Sequence, residues 1–124
     1  MKTRILLAAT ALLGGYAIGA SAHHAFNMYD NSKYVKLEGT VQSYSWKNPH
    51  VMIDYVVAGA NGEMETWSIE CSSPNIIGRR GWTPTSIKAG DKIPMVIHPM
   101  KDGRRIALTV SATLPDGTVL KDKE

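Results

Sequence analysis

A single cysteine, Cys71, occurs in the 124 residues, so no intramolecular disulfide can form. In an oxidising compartment a lone thiol is buried, a ligand or a pairing site. Its setting, Trp67-Ser68-Ile69-Glu70-Cys71, favours a buried small hydrophobe. Nucleophile elbow, phosphate-binding loop, HExxH motif and paired-cysteine zinc pattern are all missing, which leaves hydrolase and nucleotide chemistry without support. There is no internal repeat, low-complexity tract or interdomain linker. Nor is there a basic stripe with interleaved aromatics, so nucleic acid is not an expected partner.

Long apolar runs are missing too, apart from Ile5 to Ala20, which Gly14, Gly15 and Gly19 interrupt. It is short for a membrane span. Lys2 and Arg4 precede it, and Ala20-Ser21-Ala22 follows with small residues at the −3 and −1 positions of a cleavage site. The pattern predicts a signal peptide over residues 1–22, a periplasmic destination and no membrane association after cleavage; an uncleaved anchor is the alternative. Residues 23–124 are enough for one small domain with a single core. The 14 basic residues less Lys2 and Arg4, against 11 acidic ones, leave a formal charge of +1, so the high pI comes partly from the leader.

In the remainder, residues 23–33 read as a polar, irregular arm. Val35, Leu37, Gly39 and Val41 then alternate with polar residues through Gln42, one face for core and one for water. Lys47-Asn48-Pro49 breaks the pattern, and a second strand is expected from about His50 to Val57. Asn61-Gly62 closes a hairpin to a third strand over about Glu63 to Cys71. Ser73 as cap, Pro74 in the first turn, and Ile76 and Ile77 facing inward predict a short helix. Thr83-Pro84 starts another short turn. A fourth strand over Lys92 to His98, an Asp102-Gly103 turn, a fifth strand with Ile106, Leu108 and Val110, and a small hairpin over Leu114 to Leu120 complete the chain. Three strands, a short helix and two strands predict an all-β, OB-like five-stranded β-barrel, with an open sandwich as the competing architecture. The expected core comprises Leu37, Val41, Ile53, Trp67, Ile69, Ile76, Leu108 and Val110.

All four histidines, His23, His24, His50 and His98, lie after the predicted leader. Cleavage after Ala22 would make His23 the first residue, whose free amine and own Nδ1 can chelate one ion. Amine, Nδ1 and one further imidazole form a set that favours Cu(II) over harder cations. Cleavage after Ala20 would expose Ser21-Ala22-His23, a different copper-binding start. His50 and His98 sit at the expected ends of strands, where binding residues concentrate. The bland alternative is a solvated His23-His24 start, with His50 and His98 capping strand ends. A second constellation, Trp67 to Trp82, offers a Glu70–Arg79/Arg80 pair or an anion site, against plain helix capping and surface charge.

The ordered set His23-His24-Ala25-Phe26, Trp46-Lys47-Asn48-Pro49-His50, Trp67-Ser68-Ile69-Glu70, Ser73-Pro74-Asn75, Arg80-Gly81-Trp82, Gly90-Asp91 and His98-Pro99-Met100-Lys101-Asp102-Gly103 resembles the small exported bacterial proteins grouped as domain-of-unknown-function family 6152. The resemblance covers essentially all of residues 23–124. Members start His-His-Ser-Phe after the leader, so Ala25 departs. Cys71-Ser72 stands where Met-Gly or Gly-Gly is commoner, which speaks against an essential thiol. The resemblance brings no activity with it. It implies that the leading histidines, the Asn-Pro-His turn and the His-Pro pair recur as a set, as ligand clusters do.

The resulting expectation is a copper (transition-metal) protein for carriage or buffering, with His23, His24, His50 and His98 as candidate ligands and an envelope protein as a further partner. A binding module for a small molecule or envelope protein is the first rival. A copper-dependent oxidase is the second, and no platform of exposed aromatics supports it. N-terminal sequencing of the exported protein should begin at His23; a start at Met1, or one retaining the apolar run, overturns both the export and the terminal-amine expectations.

Overall fold

Segments rich in valine, isoleucine and threonine become strands, as their β-branched side chains favour. A computed structural model describes residues 27–123. The elements are β1 (Val35–Ser45), β2 (Met52–Ala58), β3 (Met64–Glu70), α1 (Pro74–Gly78), β4 (Lys92–Pro99), β5 (Ile106–Thr113) and β6 (Val119–Lys121). β1 pairs antiparallel with β2 and β4, β2 with β3, and β4 with β5. The ring closes through a parallel pairing, Ser68↔Ile106, Ile69↔Ala107 and Glu70↔Leu108. The fold is thus the OB-like five-stranded barrel, with α1 between β3 and β4 and β6 added to β5 as the small terminal hairpin. Closure rules out the open sandwich.

A ring of five strands demands strong coiling. β1 supplies it by serving two neighbours: Val35 to Thr40 pair with β4, and Thr40 to Ser45 with β2. Gly39 stands at the crossing, where any Cβ would run into the Val56 carbonyl oxygen and the Tyr55 ring. The Tyr55 hydroxyl in turn donates to the Leu37 and Ile93 carbonyls, pinning β2 to β1 and β4 from inside.

Two bulges reset which residues face inward. The β1–β2 register slips between Val41 and Ser43, so Val41 is buried before it, while Tyr44 and Trp46 pack on the core after it. β1 therefore extends to Ser45, beyond the Gln42 expected. The β4–β5 register slips opposite Val110: Ala107 and Thr109 point inward on one side, and Ala112 on the other. An extra residue in a strand reverses the parity of everything after it. Leu108 and Val110, expected in the core, are corrected: before the slip the pairing with β4 already turns Ala107 and Thr109 inward, and Val110 is only half-buried. Leu108 is buried, but on the outer face with Tyr29 and Met100, and Ile106 packs there as well.

Val41, Ile53, Tyr55, Ile69, Ile93, Met95 and Ile97 fill the barrel, and Ile77, Trp82 and Ile87 close one end. Ser73 occupies the N-cap position with Pro74 after it, but its hydroxyl caps nothing. Of the two isoleucines expected to face inward, Ile77 is fully buried and Ile76 is 46% exposed. Trp67 is only half-buried and packs against the core edge. Ile77→Ala should therefore cost about 2–5 kcal/mol and Trp82→Ala about 3–5 in chemical denaturation. Ile76→Ala should stay within roughly 0.5–1 kcal/mol; a reversed order would place α1 the wrong way round.

Candidate functional site

Strand pairing lines up four outward-facing residues across the barrel: His98 on β4, Leu108 on β5, Glu70 on β3 and Met52 on β2. Ile97, Ile69 and Ile53, their chain neighbours, point inward, so the alternation of β-structure sends these four out. The described part of the N-terminal arm crosses this row. Tyr29 bridges to Met100, the Asp30 N–H donates to the Pro99 carbonyl (2.8 Å), and the Lys101 N–H donates to the Met28 carbonyl (2.9 Å). Tyr29, Met100 and Leu108 form a small second core beneath the arm.

His50 lies just before β2, after a turn containing the cis Asn48–Pro49 peptide. Its Nδ1 sits 3.1 Å from Glu70 Oε1, with the imidazole 47% exposed. The Tyr29 hydroxyl donates to the other oxygen of Glu70 at 3.5 Å. Burial, then the Glu70 charge, pushes the Tyr29 hydroxyl above its ordinary value, which keeps it a neutral donor. With Nδ1–H directed to the carboxylate, the Nε2 lone pair of His50 is left for another partner. Metal-binding histidines are oriented by a carboxylate in this way.

His98 has a different setting. β4 runs on to Pro99 and the arm covers it, so His98 is 1% exposed rather than at a loop rim. Its Nδ1 is 2.7 Å from the Lys33 carbonyl, which fixes Nδ1 as the protonated nitrogen. Tyr34 packs edge-on against the ring, centroids 4.8 Å apart. Nε2 is buried without a hydrogen-bond partner. His98 and the His50–Glu70 pair share the outer face with one strand, β5, between them. Two strand spacings amount to roughly 10 Å. Among the described residues, no three His, Cys, Asp or Glu side chains converge as a metal site. His23 and His24 lie outside the described residues, as does the expected leader.

The Trp67 to Trp82 constellation resolves otherwise than expected. Glu70 pairs with His50, and Arg80 instead holds Asp122 at 2.9 Å. The Asp122 side chain is fully buried and also accepts the Ser72 N–H at 2.7 Å. Sequence spacing could not reveal a partner 42 residues away.

Cys71 is fully buried and lies 3.2 Å from the Thr109 hydroxyl. Burial pushes its thiol up to about 12, so it offers no thiolate for metal or redox chemistry near neutrality. The unfolded chain releases this proton near pH 9 while the fold retains it. The native state then binds more protons, and stability falls as pH rises from about 9 to 12. The Tyr55 hydroxyl, also raised by burial to about 12, acts in the same direction from its ordinary value of 10 upward. Urea midpoints should fall across that window, less steeply in Cys71→Ala. Thiol reagents at pH 8 should modify Cys71 only as fast as the protein opens; rapid labelling of native protein would contradict its burial.

No curated protein and no solved structure matches this chain. A family model described as a family of unknown function (DUF6152) matches residues 11–109. The match takes in His50, His98, α1 and the pairing that closes the barrel. Matched over more than half its length, the chain belongs to that family of unknown function.

Proposed function

We propose that the protein is an exported, periplasmic copper-binding protein that carries or buffers the ion, held by the amine and Nδ1 of His23 together with Nε2 of His50. The observation that carries this reading is the His50–Glu70 pair, which orients one half-exposed imidazole through its Nδ1 and leaves Nε2 outside that contact. The contact of Tyr29 with Glu70 sets the arm beside that pair. His23 precedes Tyr29 by six residues. An extended chain covers at most about 3.6 Å per residue, so the terminal amine lies within roughly 22 Å of Tyr29 along the arm, which includes His50 in its range. A terminal amine with a pKa near 8 gives up its proton readily to a metal. Three nitrogen donors of this kind select Cu(II) among the common divalent ions.

His98 has a separate task in this reading. Its hydrogen bond to Lys33 and its packing on Tyr34 hold down the arm that carries the terminal donors. His24 is a neighbouring imidazole available to the same ion. Glu70 positions His50 and does not touch the metal.

The test uses protein beginning at His23, titrated with Cu(II) against a competing chelator and examined by EPR. One glycine added before His23 keeps every side chain but displaces the amine, and most of the affinity should be lost. His50→Ala should change the nitrogen hyperfine pattern. Glu70→Gln should weaken binding roughly 10–100-fold with the ligand set intact, and His98→Ala should weaken it without altering the hyperfine pattern. Unchanged affinity in both the glycine-extended protein and His50→Ala would remove this site.

A further inference from the structure

An outward-facing sulfur stands next to His50. Val51 and Ile53 are fully buried, so His50 and Met52, which alternate with them, project from the outer face of the barrel. The ladder to β3 continues past the end of β2, with the Cys71 N–H donating to the Val51 carbonyl at 2.8 Å. Alternation therefore holds through His50. One residue separates the imidazole and the thioether, which puts their Cα atoms roughly 7 Å apart. Met52 also faces Glu70 directly across the β2–β3 ladder, and Glu70 holds His50 Nδ1 at 3.1 Å. Both Glu70 oxygens are engaged, Oε1 by His50 and Oε2 by the Tyr29 hydroxyl.

Most half-buried methionines fill gaps in a core. Met52 belongs to neither of the two apolar clusters formed by the described residues. It stands instead among the polar side chains of the outer row. Cys71, the other sulfur near Glu70, is fully buried and turned toward Thr109. We propose that Met52 Sδ and His50 Nε2 together bind Cu(I), so that the site takes the reduced ion through the thioether as well as the oxidised ion through the terminal amine. This rests on the copper reading for the role of His50 Nε2. Thioethers select Cu(I), whereas imidazole suits either oxidation state. Cu(I) has a filled d shell and accepts two- or three-fold coordination, so two donors on one strand suffice. Glu70 fixes the imidazole, and the unbranched Met52 side chain turns its sulfur toward Nε2 without any movement of the backbone. The ion arrives already reduced, and no electron passes at the site.

The test uses protein beginning at His23, under anaerobic conditions, with Cu(I) titrated against bathocuproine disulfonate. Met52→Leu keeps the volume of the side chain and should weaken Cu(I) binding at least about tenfold, while Cu(II) affinity and the EPR hyperfine pattern stay as they were. Met64→Leu is the control, because Met64 is 66% exposed but faces Ala58 at the far end of the same hairpin; it should change neither ion. His50→Ala should weaken both. In protein carrying ¹³C-methyl methionine, the Met52 methyl resonance should move on addition of Cu(I) and the Met64 resonance should not, a readout that needs no variant. Unchanged Cu(I) affinity in Met52→Leu, a still Met52 methyl, or an equal loss in Met64→Leu overturns the proposal. A parallel loss of Cu(II) affinity in Met52→Leu overturns it in favour of a packing role. The glycine-extended protein separates the two readings: it should lose Cu(II) and keep Cu(I). Cu(II) affinity insensitive to the extension, with the Met52 effects intact, removes the terminal amine and leaves the thioether site standing.

Discussion

The parallel pairing of β3 with β5 is the constraint on which the rest of the molecule depends. Without Ser68↔Ile106, Ile69↔Ala107 and Glu70↔Leu108 the strands form an open, curved sheet with two long edges. With it, the inner faces of all five strands meet, and Ile53, Tyr55, Ile69 and Ile97 lose water completely. Parallel neighbours require a long crossover, and the chain between β3 and β5 supplies it. That crossover has a second effect: α1 and the turn after it carry Ile77, Trp82 and Ile87 onto the end of the barrel. The same three pairs fix the outer surface. They put Glu70 beside Leu108, and hence two strands from His98, and they give Tyr29 in the arm a carboxylate to reach.

Much of this was legible in the sequence because it rests on local signals. Strand order, the Asn61-Gly62 and Asp102-Gly103 turns, the Pro74 helix start and the inward position of Cys71 each depend on a few adjacent residues. A glycine inside a strand suits sharp coiling, and at Gly39 the structure shows the carbonyl that excludes a side chain. Alternation was reliable only up to a bulge. The slips near Gln42 and opposite Val110 reverse inward and outward, and neither residue type announces a bulge. For that reason Tyr44 and Trp46 escaped notice as inward-facing residues; Ala107 and Thr109 lie before the second slip and were passed over because the larger apolar Leu108 and Val110 drew the inward expectation to the wrong face. Small residues suit the inner face of β5 because the large side chains of β2 and β4 already occupy the space, which is a tertiary fact.

The candidate site divides along the same line. His50 and His98 stand out as residue types, but their surroundings are set by contacts across 20 and 65 positions. Glu70 stood out in the sequence beside Arg79 and Arg80, one of which was a candidate partner. The barrel instead brings His50 to it, because β2 and β3 are paired so that Met52 faces Glu70. The arginine is taken by Asp122, which β6 delivers from the far end of the chain. Tyr29 carried no signal, since an irregular polar arm gives no periodicity from which to read a docking contact.

Three consecutive residues tie these parts together. Glu70 points outward to His50, Cys71 inward to Thr109, and the Ser72 N–H is held by Asp122 next to β6. Each is anchored to a different strand or turn, so none can move without breaking a hydrogen bond or opening the core. The His50–Glu70 pair and the Ser72–Asp122 contact are therefore two ends of one short, rigid segment. Glu70 and Ser72 lie roughly 7 Å apart along an extended chain, yet they address different surfaces. Burial of the Cys71 thiol between the two anchors makes this segment an unreactive spacer that keeps them in register.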